Sequence, residues 1–136
     1  MNPKSAIRRL RPDSGEALVE MALVLPILLV LSLGMLDFGR AFHQKSIVDA
    51  AAREACRVAV VTAPDVPIAE ARGNLILTTA GFTGSTAIAG PDPARMVTAT
   101  VTSEFTFVTP GLFALFGGGF GNSIILTGRS VMRKEG

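Results

Sequence analysis

The sequence predicts an α+β protein in which a long N-terminal helix, its first half transmembrane, packs against a small exported head carrying an antiparallel β hairpin or small sheet. Two observations predict it. Ala17 to Leu36 is an apolar run of twenty residues interrupted by one charge, Glu20. Arg95 to Val108 alternates apolar residues with threonines, the period of a half-buried strand. The chain has 136 residues, 49% of them hydrophobic and 18% charged, so one modest domain remains beyond the run.

The run is about long enough to cross a bilayer at ~1.5 Å rise per residue. A chain of this size cannot wrap such a segment as a buried core helix. Four basic residues (Lys4, Arg8, Arg9, Arg11) precede it against Asp13 alone, while nine basic and ten acidic residues follow from Glu16 onward. The positive flank therefore lies before the span, which places the N-terminus in the cytoplasm and everything after Leu36 outside. The basic character belongs to a short tail and not to a folded face, which argues against a nucleic-acid partner. Two residues inside the span are unusual. Pro26 removes a backbone donor and kinks the helix, a defect that membrane helices tolerate. Glu20 puts a carboxylate near the cytoplasmic edge of the hydrocarbon, at a cost of about 2.5–3.5 kcal/mol unless it finds a partner.

The residues around Glu20 form a pattern. A basic tail ends at Gly15, Glu16 follows, and Glu20 and Met21 stand at the mouth of the apolar helix. This resembles the cleavage site of type IV pilin-like precursors, whose peptidase cuts after the glycine. Such a cut would free the Glu16 amine and leave Glu20 as the fifth residue, an ammonium and a carboxylate able to neutralise one another. Three further stretches extend the likeness: Glu20-Met21-Ala22-Leu23-Val24-Leu25-Pro26, Asp37-Phe38-Gly39-Arg40, and Ala51-Ala52-Arg53-Glu54-Ala55-Cys56-Arg57. Over roughly residues 14–61 the chain resembles the TadE-like family of Tad pilus assembly proteins, with Met21 where that family usually has an aromatic residue.

The resemblance implies a minor pilin or pseudopilin of a Tad-type (Flp) adhesive pilus, sited in the bacterial inner membrane as a single-pass protein or in the fibre. Its implied partners are the membrane, prepilin peptidase, other pilin-like subunits and the pilus assembly machinery. Gly15, Glu16, Glu20 and Met21 would form the processing site. Pro26, Asp37, Phe38, Gly39, Arg40, Arg53, Glu54 and Arg57 would serve helix packing and subunit contact.

The division expected is a leader at 1–15, a transmembrane half at 16–37, an exported helical half at 38–62 and a head at 63–136. Within the exported helix, Ile47, Ala51, Ala55 and Val58 share one face, while Asp49, Arg53 and Arg57 share another with Asp49–Arg53 and Glu54–Arg57 spaced to pair. Thr62 to Pro67 breaks the helix. A second helix is expected over Ile68–Thr79, with Ile68, Arg72, Leu75 and Thr79 on one side and Gly73 weakening it. Gly81 to Pro93 reads as a loop, and Ser123 to Arg133 as a second strand. Between the strands, Leu112, Phe113, Leu115, Phe116 and Phe120 form either a core lid or an exposed contact patch.

No enzymatic chemistry is argued by spacing. One cysteine excludes an internal disulfide framework, and one histidine leaves too few ligands for a zinc site, so neither metal nor cofactor is expected. Cys56 reads as a small buried side chain and His43 as a solvated helix residue. No small-molecule substrate is expected either. The competing reading is an exported soluble binding protein with a signal peptide cut near Ala41. An uncleaved bitopic scaffold is the third.

Overall fold

The computed structural model describes residues 13–62, 65–109 and 121–134, with side chains from Gly15 onward. The basic residues Lys4 to Arg11 and the apolar stretch Leu112–Phe120 lie outside the described residues. Five elements follow in order: α1 (Asp13–Thr62), α2 (Val66–Thr79), β1 (Gly84–Ala89), β2 (Met96–Thr106) and β3 (Ser123–Arg133). The strands form one antiparallel sheet in the order β1-β2-β3. The α+β architecture is therefore as expected.

α1 has 50 residues and continues through Pro26 as one helix, about 75 Å at helical rise. Its two halves differ in surroundings. No residue of the apolar window on its N-terminal half is buried. From Asp37 onward a stripe at helical spacing is buried: Asp37, Gln44, Val48, Ala51, Ala52, Ala55, Cys56 and Ala59. The centre of this face lies one position away from the expected one, so Ile47 and Val58 fall at its half-buried margins. Most of the stripe is small, which lets strands approach the helix backbone closely. A Cβ on Gly128 of β3 would come within 2.7 Å of the Val48 carbonyl oxygen.

β2 runs antiparallel to α1, and its contacts step along the helix in order. Val97 and Ala99 pack with Ala55, Cys56 and Ala59, then Val101 with Val48, Ala51 and Ala52. The Cys56 thiol donates to the Val97 carbonyl at 3.3 Å, so the lone cysteine is a fully buried core residue. The expected alternation in β2 holds: Val97, Ala99, Val101, Ser103 and Phe105 are buried. β3 occupies the residues expected of the second strand.

Two expectations are corrected, and the packed face of α2 is identified. The segment read as a loop contains β1, an edge strand whose six residues send only Thr86 and Ile88 inward. So short an alternation, built on Gly and Ala, acquires strand structure from pairing with β2 and not from its own propensity. In α2 the face at Ile68, Arg72, Leu75 and Thr79 is exposed, and Ala69, Gly73 and Leu77 are buried. Gly73 is what admits β1: a Cβ there would lie 2.4 Å from the Thr86 hydroxyl oxygen. The expected pairs also regroup, since Asp49 bonds Lys45 and Glu54 bonds Arg72.

The close approach at Gly128 predicts that Gly128→Ala destabilises the detergent-solubilised protein by about 1–3 kcal/mol in urea unfolding, the usual range for an overpacked contact. At Gly39, where no atom lies within 4 Å, Gly39→Ala should leave stability equal or raise it by up to about 1 kcal/mol. Equal midpoints for Gly128→Ala and the unmodified protein would refute the close-packing account.

Candidate functional site

The first site region is the N-terminal end of α1. Helical structure begins at Asp13, three residues ahead of Glu16, so the Gly15–Glu16 bond lies in the first turn. First-turn N–H groups have no intrahelical acceptor, and local unwinding there breaks few bonds. Gly15, Glu16, Glu20 and Met21 are all exposed. None of the described residues pairs with Glu20. Ser32, the other polar residue of the run, donates its hydroxyl to the Leu28 carbonyl at 2.8 Å and is satisfied within the helix. Pro26 is half-buried.

The second region is the end of the apolar run. Asp37 is the first residue past Leu36 and is 3% exposed. Its Oδ2 accepts the Val108 N–H at 2.9 Å, the Thr109 N–H at 2.7 Å and the Thr109 hydroxyl at 2.5 Å. Its Oδ1 accepts from Arg40 Nη1 at 3.1 Å. Burial alone would push this carboxyl up. The Thr109 hydroxyl, the two backbone N–H groups and the Arg40 guanidinium outweigh burial and hold it below its ordinary value. Arg40 also lies over the Phe105 ring, 5.4 Å from its centroid.

Two turns further along, Gln44 is buried and donates from Nε2 to Ser103 Oγ at 2.7 Å and to the Glu104 carbonyl at 2.9 Å. Ser103 in turn donates to the Thr83 carbonyl at 2.6 Å. Lys45 Nζ donates to the Thr127 carbonyl at 3.0 Å. The helix thus carries polar ties to β2, to β3 and to the residue before β1. Sequence reading singled out Asp37 and Arg40 but missed Gln44. The signal was its position, seven residues after Asp37 and four before Val48 on one face.

The remaining motif residues point elsewhere. Phe38 and Phe42 are exposed and meet edge to face, with centroids 5.0 Å apart. Gly39, Arg53 and Arg57 are exposed, and Glu54 is half-buried beside Arg72. His43 is exposed, its ring 6.3 Å from that of Phe82. Among the described residues no three of His, Cys, Asp or Glu gather in a way that could hold a metal ion.

A helix that is unpacked for its first half, long and apolar enough there to cross a membrane, and tied to a small α+β head for its second, defines a protein built as a rod with a head. Residues 15–57 match the family model of the TadE-like protein, the family that the motifs of this stretch resemble. The match covers the whole apolar half and most of the helix stripe that the head grips, and stops short of α2 and the sheet. No curated protein and no solved structure matches the chain.

Asp37→Asn should lower stability at neutral pH by about 1–3 kcal/mol in urea unfolding, because buried donors lose a charged acceptor. The sign of the pH effect follows from the lowered folded-state value. Asp37 contributes stability above the unfolded carboxylate value near ~3.9, and that contribution is lost as pH falls through the folded value. The variant should lack this part of the acid limb. A variant with unchanged midpoint and unchanged acid slope would exclude the tie.

Proposed function

We propose that this chain is a pilin-like component of a Tad-type pilus, anchored by Ala17–Leu36 with its head on the exported side. The observation that carries the reading is the TadE-like match over residues 15–57, which spans both the anchor and the start of the head's grip. Twenty residues at ~1.5 Å equal the ~30 Å of a hydrocarbon core, and the first residue beyond them is the buried Asp37. Asp37 and the head therefore sit at the exit of the anchor, outside the lipid.

In this reading prepilin peptidase cuts between Gly15 and Glu16. The new ammonium and the Glu20 carboxylate lie at the cytoplasmic membrane edge. Since the chain's own fold leaves Glu20 without a described partner, the ammonium of a neighbouring subunit completes the pair and sets the register of adjacent helices. The exposed Arg53 and Arg57 are available to neighbouring subunits on the exported side. No catalytic step is assigned to the protein; its role is structural.

The rival reading, a signal peptide cut near Ala41, would remove Asp37 and Arg40 and with Asp37 the three hydrogen bonds that hold residues 108–109. It would leave Gln44 as the third residue of the new chain. The architecture favours retention of the rod.

N-terminal sequencing of the protein from the membrane fraction separates the readings. Glu16 as first residue supports peptidase processing, Phe42 supports a secreted binding protein, and Met1 an uncleaved scaffold. Gly15→Leu should leave a precursor about fifteen residues longer on gels, and unchanged mobility would count against processing. Glu20→Gln should still be cut yet fail to assemble; normal piliation by that variant would remove the pairing role.

A further inference from the structure

We propose that the end of the head nearest the anchor, at Phe38, Phe42, Val108, Ile124 and Ile125, is a lipid-contacting collar that seats the head on the phospholipid headgroup boundary. The proposal rests on reading Ala17–Leu36 as a membrane span and adds a second membrane contact made by the head itself.

Three observations carry it. The five residues are large, apolar and between 43% and 72% exposed. They come from both sides of the helix yet occupy one level along it. Asp37 holds Val108 and Thr109 beside the helix exit, and Gln44 holds Glu104 two turns on. Register then places Ile124 opposite Phe105 and Ile125 opposite Glu104, between those two ties. Phe38 and Phe42 lie about 100° and 140° around α1 from Asp37, away from the strands.

The second observation is the distribution of phenylalanine. All five described Phe residues (38, 42, 82, 105 and 107) fall at this end, and none at the far end, where Arg53, Arg57, Arg95 and Lys134 lie. Phe is one of the apolar residues that elements lying at a membrane surface bury at the boundary between headgroups and acyl chains.

The third is continuity with the anchor. An open, mainly apolar hollow of about 440 Å³ is lined by Met35 and Leu36 of the run together with Phe82 and Phe105 of the head. Gly39, Arg40, His43 and Gln44 complete its lining, so the polar groups of α1 sit at its wall while the run and the head share its apolar floor. The depth also fits. Asp37 to Phe42 spans about 7.5 Å of helix, within a headgroup layer of about 5–8 Å on each side of the hydrocarbon. Glu104 and Lys45, at the upper limit of the collar, remain at the water side.

The test uses the full chain in phosphatidylethanolamine–phosphatidylglycerol vesicles, with single cysteines carrying a polarity-sensitive fluorophore. Cys56 is fully buried and leaves the introduced thiol as the reactive one. Leu28→Cys reports the anchor, Ile125→Cys and Phe42→Cys the collar, and Val61→Cys an exposed apolar position at the far end. Each is quenched by aqueous iodide and, separately, by lipids with brominated acyl chains.

The collar predicts that labels at 125 and 42 are shielded from iodide relative to 61 and are quenched by bromolipid, though less than at 28. Labels at 125 and 42 that behave like 61, with 28 in lipid, overturn the collar and leave the anchor standing. Shielding from iodide without bromolipid quenching means that another protein covers this rim and also overturns it. A label at 28 as open to iodide as that at 61 removes the anchor reading, and the collar with it.

Discussion

The buried carboxylate of Asp37 joins parts of the chain 72 residues apart, and the rest of the architecture is arranged around that tie. A charged group just beyond twenty apolar residues could face water or be solvated by the protein. Here the protein does it, with two backbone N–H groups, a hydroxyl and a guanidinium. Four charge-assisted bonds offset the cost of taking the carboxylate out of water. The end of β2 is thereby fixed to the helix position at which the apolar run stops.

From that point the strand and the helix can run together only if the helix is thin. Ala51, Ala52, Ala55, Cys56 and Ala59 supply a narrow side, and Gly128 and Gly73 remove the Cβ atoms that would hold β3 and β1 away from the helices. Close packing of small residues yields less transfer energy per residue than a Leu-rich core would. The sheet therefore depends on polar ties at its anchor-side end, Gln44 to Ser103 and Glu104 and Lys45 to Thr127, as well as on Leu77, Val97 and Val101. The helix is thereby held by the head from the first residue after its apolar run.

The elements legible in the sequence were those with a long period to read. The apolar run, the helix through to Thr62, and the alternation of β2 each extend over ten or more residues, so one atypical residue does not hide them. β1 was not legible because four of its six residues are Gly, Ser or Ala and pairing supplies its structure. The packed face of α2 was not legible because Gly73 reads in sequence as a weak point of the helix, when its lack of a side chain is what allows Thr86 to sit against it. Asp37 and Arg40 stood out as motif residues, but their partners at Val108, Thr109 and Phe105 are a matter of tertiary register. Gln44 could have been found, since a polar residue on an otherwise small and apolar stripe asks for a buried partner.

What the fold leaves unsatisfied is as informative as what it satisfies. Ser32 bonds within its own helix, and Asp37 is surrounded by donors. Glu20 has neither solution among the described residues, although it lies in the same apolar half at a cost of about 2.5–3.5 kcal/mol when ionised in lipid. Among the described residues one carboxylate is thus fully solvated by the protein and the other, one helix segment away, is not. A cut after Gly15 creates a cation four residues from that carboxylate, too near along one helix to do more than neutralise it. Between helices the same pair also fixes their relative height. In the proposed reading this imbalance is what links processing to assembly: the step that removes the basic leader would supply the charge that the next subunit's Glu20 lacks.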